Sequence, residues 1–178
     1  NAGGKMPFFI LLSSLVIDMA EIIQACDRSF AWSEQRTTAV IFRCIKRDPN
    51  CLNIRDEHGA TPLHLAILSL KPYVVELLIR YQANTNAKTM NGETPLHWAA
   101  KCGHLKIAKQ LIRANAEVNV ADYEGYTPLH WAAAGGYLNM AQILLHHGAS
   151  PFSTNKYEEQ PCDMFIPSSN MELFRLLA

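Results

Sequence analysis

The chain has 178 residues, 49% of them hydrophobic and 18% charged, and its 16 basic residues balance 16 acidic ones. This composition predicts a folded chain without a disordered tail, and the zero net charge gives no general field that would attract nucleic acid or an anionic membrane. Five cysteines without a Cys-x-x-Cys pair, together with the lack of an N-glycosylation sequon, favour an intracellular location, cytoplasmic or nuclear.

The N-terminal segment is predicted to contain one helix. Residues 1–5 look like a remnant of cloning and are set aside. Over residues 6–22 apolar side chains recur at spacings of three and four, which indicates a helix that caps the fold. A second apolar strip, available to a partner or to a second copy of the chain, comprises Phe9, Ile10, Val16 and Ile17.

Two membrane-related interpretations concern this segment. Ser13, Ser14 and Asp18 interrupt the apolar run, which falls short of the about 20 residues that a membrane span needs, so we expect no membrane span. A signal peptide stays open as an alternative, although no small-residue cleavage site stands out.

The most informative pattern follows. Thr-Pro-Leu-His occurs three times, beginning at Thr61, Thr94 and Thr127, always 33 residues apart. A period of 33 with this motif resembles the ankyrin repeat family over residues 56–154, in which each repeat is a β-turn followed by two antiparallel helices. The resemblance implies an all-α repeat solenoid whose stacked units present a surface rather than a pocket, and a non-catalytic function in binding another protein.

The same frame extends in both directions with less regularity. Asn53 lies 33 residues before Asn86, and Trp32 lies 33 residues before Leu65, which follows the histidine of the first motif. This spacing predicts a degenerate first repeat. Gln160-Pro161-Cys162-Asp163 falls on the motif, with Glu158 at the glycine position, which predicts a decayed capping repeat. The predicted repeat domain covers 23–178, divided into 23–55, 56–88, 89–121, 122–154 and 155–178.

An alternative function comes from residues 7–32, whose order of hydrophobic residues loosely resembles an F-box. That resemblance would imply a substrate-recruiting adaptor of a ubiquitin ligase. The segment lacks the leucine-proline opening usual in that family, and it overlaps the degenerate repeat at 23–55. Copurification of a ligase subunit through residues 6–32 would distinguish such an adaptor from a simple protein-interaction module.

The repeat frame assigns physical roles. Thr94 is expected to cap the first helix of its repeat, and Leu96 and Ala99 are expected to face the neighbouring repeat. Gln82 falls where the second helix should end in a left-handed residue, a position that Asn115 and Gly148 suit better. Leu70-Lys71-Pro72 replaces the glycine between two helices, which predicts an irregular turn there.

The repeated histidines and tryptophans are given structural roles. His64, His97 and His130 lie one repeat apart, about 10 Å, and cannot share a metal ion; in the ankyrin family this histidine ties the helix start to the hairpin loop. Trp98 and Trp131 replace the commoner leucine and are expected to pack between helices with each N–H bonded, although tryptophan is also enriched in binding hot spots. No motif of catalysis, phosphate binding or metal binding occurs, so no catalytic residue, cofactor or metal is predicted.

The resemblance implies that a partner protein binds the hairpin tips and the exposed side of the first helices. The tips of repeats 3 to 5 are richest in tyrosine and methionine, and glutamates surround them, which suggests a partner with an apolar anchor flanked by basic residues. The predicted binding residues are Glu57, His58, Ala60, Met90, Asn91, Glu93, Lys101, Cys102, Tyr123, Glu124, Tyr126, Ala134, Lys156, Tyr157 and Glu159.

One candidate modification site is Asn119. Leu111, five further residues and then Glu117-Val118-Asn119 match the pattern by which asparaginyl hydroxylases select ankyrin hairpins. The favoured alternative is a turn asparagine whose side chain bonds its own backbone. Mass spectrometry of the Asn119 peptide, with and without hydroxylase inhibitor in the cells, would separate the two.

Overall fold

The computed structural model describes residues 22–23, 25–26, 34–164 and 171–177, and in these residues every regular element is helical. Three helix pairs, α2–α3, α4–α5 and α6–α7, follow one another at the predicted 33-residue spacing, which confirms the repeat frame and an all-α solenoid. The elements are α1 Glu34–Arg47, a 3-10 helix Pro49–Asn53, α2 Pro62–Leu68, α3 Pro72–Arg80, α4 Pro95–Lys101, α5 Leu105–Arg113, α6 Pro128–Ala134, α7 Leu138–His146 and α8 Met171–Leu177.

The first helix of each pair starts at the proline of the repeated motif. Pro95 occupies the first turn of α4, where its missing N–H costs no hydrogen bond. Thr94 before it is extended, and it forms a reciprocal capping box with His97. The same arrangement begins α2 and α6, so the motif fixes where each repeat turns into its helix.

The core is continuous along the stack. Leu96 and Ala99 of α4 are fully buried, and α4 contacts both α2 and α6. Alanine at this face lets the neighbouring helices approach closely, as predicted, while leucine fills the space between them.

Two residues of the repeat at 56–88 adopt backbone conformations that their side chains disfavour. Leu70 has φ 53° between α2 and α3, where the later repeats have Gly103 and Gly136. Gln82 has φ 65° after α3, where Asn115 and Gly148 stand in the later repeats. The predicted strain at Gln82 is therefore confirmed. The prediction of an irregular turn at Leu70 is wrong, because the N–H groups of Leu70 and Lys71 bond the carbonyls of Ile67 and Ala66 just as those of Gly103 and His104 bond Ala100 and Ala99. Leucine there takes the left-handed conformation that glycine takes in the later repeats.

We expect Leu70→Gly and Gln82→Gly each to raise the free energy of unfolding by about 0.5–1 kcal/mol, because glycine adopts a positive φ without a Cβ clash. Urea unfolding measures the change. Asn115→Gly is the matched control and should gain less, since asparagine tolerates this conformation. Equal or lower stability of both glycine variants would contradict the assignment of strain.

The first repeat differs from its prediction in its first half. α1 is one continuous helix of 14 residues that passes through Thr37, the position at which Leu70 and Gly103 turn the chain. A β-branched residue resists the left-handed conformation, so the helix continues where a turn between two helices was expected. The second half fits the frame, because Asn53 Oδ1 accepts from the N–H of Asn84 at 2.9 Å, as Asn86 Oδ1 does from Glu117.

The N-terminal segment meets the stack at the turn between α2 and α3. Ala25 and Cys26 are helical and buried. Their carbonyl oxygens accept hydrogen bonds from Lys71 Nζ at 3.1 Å and Ser69 Oγ at 2.7 Å. The rest of the predicted capping helix, Trp32 and most of the F-box-like segment lie outside the described residues. In the described part of the chain, no helix is both long and apolar enough to cross a membrane.

The C-terminal end keeps part of the repeat pattern. The N–H of Gln160 donates to Asp163 Oδ2 at 2.8 Å, with the same spacing as the threonine and histidine of the motif. α8 begins where the frame puts a second helix, and Leu177 in it is buried. Glu158 at the glycine position has φ 63°. The division of the domain into five units remains a prediction at both ends.

Candidate functional site

Four hairpin tips, residues 56–60, 89–93, 122–126 and 155–159, form one continuous row, called here the tip row. A backbone N–H of each later tip donates to a carbonyl of the preceding one, at 2.9 Å in all three junctions. The donor and acceptor pairs are Met90 to His58, Tyr123 to Asn91, and Lys156 to Glu124. The repeats are thus held at a fixed spacing on the side where binding residues were predicted.

Glycine in the first three tips is required by this packing. Gly92 has φ +80°, and a Cβ on it would lie 2.9 Å from the backbone nitrogen of Tyr123 in the next tip. Gly59 and Gly125 have the same conformation and similarly close neighbours. Any larger residue would push adjacent tips apart.

Each tip is closed by one polar side chain. Asp122 Oδ1 accepts from the N–H groups of Glu124 and Tyr126, both at 2.9 Å. Asp56 and Asn155 make the same pair of bonds, and Thr89 makes a longer pair at 3.3 and 3.2 Å. Sequence reasoning did not single out these residues, although their 33-residue spacing was available as a signal.

The motif histidines link each helix pair to the following tip. His97 Nδ1 accepts from the N–H of Thr94 at 3.0 Å, so its proton is on Nε2, which lies 3.0 Å from the carbonyl oxygen of Tyr126. His64 and His130 repeat this geometry with Glu93 and Glu159. The predicted structural role is confirmed, and the bonded loop belongs to the next repeat.

Burial controls the protonation of these histidines. Burial lowers the pKa of His64 to about 4, although the hydrogen bond to the Glu93 carbonyl acts to raise this pKa. Burial also lowers the pKa of His97 and of His130. At neutral pH the three rings are neutral, as the hydrogen bonds require.

A groove of about 470 Å³ lies between the tips and the first helices of repeats 3 and 4. Asp122 and Trp131, which were not among the predicted binding residues, form part of its wall. The six predicted residues that line it are Asn91, Glu93, Lys101, Tyr123, Glu124 and Tyr126.

This geometry agrees with the comparison against known families. A family model described as ankyrin repeats, in three copies, matches residues 71–155. Residues 71–155 therefore belong to the ankyrin repeat family. None of the curated proteins compared with the chain matches its sequence.

The tryptophans of the ankyrin repeats make the N–H hydrogen bonds expected of packed side chains and leave part of each ring exposed. Trp98 Nε1 donates to Glu93 Oε2 at 3.0 Å, and Trp131 Nε1 to Asp122 Oδ2 at 3.4 Å, so each N–H has a partner as expected. Both rings are only half-buried. The ring of Trp131 lines the groove, and Lys101 Nζ lies 4.2 Å from its centroid.

Three predicted binding residues are less exposed than expected of ankyrin hairpin positions. Glu93 is 9% exposed, because its carboxylate bonds Trp98 and faces Lys101 Nζ at 3.5 Å. Ala60 is 1% exposed, and its carbonyl accepts a hydrogen bond from the N–H of Asp56 across the tip. Tyr126 is half-buried, with its ring centroid 5.2 Å from that of Trp131.

The most exposed aromatic side chains of the ankyrin tips are Tyr123 and Tyr157, at 57% and 64%. Glu124 lies beside them and accepts from Tyr157 Oη at 3.4 Å and Lys156 Nζ at 3.3 Å. Met90, Glu57 and His58 are also exposed but lie towards the first tips and do not line the groove. Cys102 and Glu159 are half-buried, and Ala134 is exposed.

Asn119 differs from the favoured interpretation of its turn. Its Oδ1 accepts from the N–H of Ser150 at 2.9 Å, and its Nδ2 donates to the carbonyl of Gly148 at 2.7 Å. The side chain therefore bridges two ankyrin repeats and does not bond its own turn. Its hydroxylation stays a prediction.

Proposed function

We propose that the chain is a non-catalytic protein-interaction module, which binds a partner protein through the tip row and the groove below it. The observation that carries the proposal is that six residues chosen for variability between repeats line one groove, next to exposed tyrosines on rigidly linked tips. Ankyrin repeats generally serve as protein-protein interaction modules, which supports the class of function but not the identity of a partner.

The chemistry of the surface supports a protein ligand. Tyrosine contributes a large contact area with few rotatable bonds, and the hydrogen bonds between tips hold the surface in place before binding. No disulfide joins any of the five cysteines, all within the described residues, and we place the module in a reducing compartment of the cell.

We expect the double variant Tyr123→Ala, Tyr157→Ala to weaken the partner by about 2 kcal/mol or more with little change in melting temperature, because both side chains are mostly exposed. The partner is first isolated with the full chain from native lysate, then purified and titrated by calorimetry. Tyr126 is left unchanged because its ring packs on Trp131.

Tyr73→Ala is the matched control, since Tyr73 is 45% exposed and lies on α3, away from the tip row. It should leave the affinity unchanged. Full affinity of the double tyrosine variant, with loss of binding in the Tyr73 control, would place the interface on the second helices and refute the proposal.

A further inference from the structure

The groove carries an excess of negative charge within a chain whose net charge is zero. Glu93, Asp122 and Glu124 line it, and Lys101 is the basic residue among its lining side chains. Lys156 reaches Glu124 from outside the groove, but both side chains are more than half exposed, so water screens this ion pair strongly. The groove is therefore suited to a second cation.

The position of Lys101 shows how such a cation is held. Its ammonium lies 4.2 Å from the centroid of the Trp131 ring and 3.5 Å from Glu93 Oε1. A cation between an aromatic face and a carboxylate is stabilised by both. Yet the side chain of Lys101 is 50% exposed and its distance to Glu93 is at the limit of a hydrogen bond, so this contact is weak and open to displacement.

The preceding repeat provides an internal comparison. Leu68 occupies the position in α2 that Lys101 occupies in α4, so Trp98 meets no ammonium there. The Trp98 ring instead packs edge-on against His64, with centroids 5.1 Å apart. The combination of a lysine with an indole thus belongs to the groove and does not follow from the repeat pattern alone.

We propose that the groove binds an arginine side chain of the partner protein, and that Lys101 occupies the place of its cation in the free chain. This inference rests on the proposed function, because it names the part of the partner that enters the same surface. A planar guanidinium stacks on an indole and can bond a carboxylate such as Glu124 with two N–H groups, whereas an ammonium acts as a point charge.

The proposal has an unusual consequence. If Lys101 competes with the incoming arginine, its removal strengthens binding, whereas a Lys101 that contacted the partner directly would weaken binding when removed. Lys101→Ala leaves the three carboxylates and the ring of Trp131 in place. We expect this variant to bind an arginine peptide about threefold more tightly or better.

The test uses a capped nine-residue peptide with Leu-Arg-Leu at its centre and Gly and Ser around it, titrated into the full chain at millimolar concentration. The indole N–H resonance of Trp131 should shift, and the backbone amide of Tyr73 on α3, away from the groove, should serve as the unshifted internal reference. A peptide with citrulline in place of arginine has nearly the same shape without the charge, and it should give no shift.

Trp131→Leu removes the indole ring and should therefore weaken peptide binding. Leu65 shows that the equivalent position of an earlier repeat accepts leucine. The variant should weaken the peptide about tenfold or more, measured by the shifts of Tyr123 and Glu124 amides. Equal shifts with the citrulline peptide, or weaker peptide binding by Lys101→Ala, would overturn the proposal whether or not Trp131→Leu folds.

Failure of this inference is distinguishable from failure of the proposed function. Partner binding that depends on Tyr123 and Tyr157 but is unchanged or weakened by Lys101→Ala would keep the tip row as the interface and refute the arginine site. Tighter partner binding by Lys101→Ala would support it.

Discussion

Leu96→Ala and Ala99→Leu should each lower the free energy of unfolding substantially, for opposite physical reasons. Both residues are fully buried in α4, which packs between α2 and α6. Removing the Leu96 side chain leaves a cavity at a cost of about 2–5 kcal/mol. Enlarging Ala99 forces the neighbouring helices apart at a cost of about 1–3 kcal/mol.

Urea unfolding of the full chain measures both effects, with Lys101→Ala as the control on the same helix. The Lys101 side chain is half exposed, so its truncation should change the free energy of unfolding by less than about 1 kcal/mol. If all three variants unfolded at the same urea concentration, the assigned register of α4 would be wrong.

Acidification should destabilise the array more than its carboxylates alone would. A histidine in the unfolded chain has its ordinary pKa of 6.5, and that of folded His64 is lowered to about 4. Between these values the unfolded state binds more protons, so the stabilisation is fully present above about pH 6.5 and is lost as the pH falls towards 4. For His64 alone the loss is on the order of 3 kcal/mol, and His97 and His130 act in the same direction.

Urea unfolding at a series of pH values from 7.5 to 4 would measure this dependence. His64→Gln should reduce the slope between pH 6.5 and 4, even though it lowers stability at neutral pH by removing the hydrogen bonds of both ring nitrogens. His58→Gln is the control, because His58 is exposed on its tip and should leave the slope unchanged. The same slope in the wild type and in His64→Gln would show that the buried rings do not control acid unfolding.

Much of the fold could be predicted from local rules. Threonine followed by proline starts a helix at each of its three occurrences in this sequence. The 33-residue spacing then predicts the same start in each of these repeats. Gln82 was identifiable as strained because the frame places it on a position that asparagine or glycine holds in the later repeats. The frame also brought six binding candidates to one groove, since equivalent positions of stacked repeats lie side by side.

The repeat frame could not predict features that depend on contacts between side chains. Glu93 was placed on a tip, but the sequence does not show that Trp98 and Lys101 draw its carboxylate inward. Trp131 was expected to pack between helices, but the contact on its exposed ring face comes from Lys101 in the preceding repeat. The bridge from Asn119 to the next turn likewise needs the spacing between repeats, although asparagine recurs there at the same period.

Thr37 is a different case, because its residue type already argued against a turn. The frame assigned a turn to its position, and a β-branched residue cannot readily take a positive φ. The continuous helix α1 therefore reflects a local preference that overrides a decayed repeat pattern.

Hydrogen–deuterium exchange of the full chain, free and bound to its purified partner, tests the central claim most directly. The account predicts new amide protection in the tips at 89–93, 122–126 and 155–159, where backbone and side chains would be covered together. Protection confined to the second helices α3, α5 and α7, with the tips exchanging as in the free chain, would contradict it.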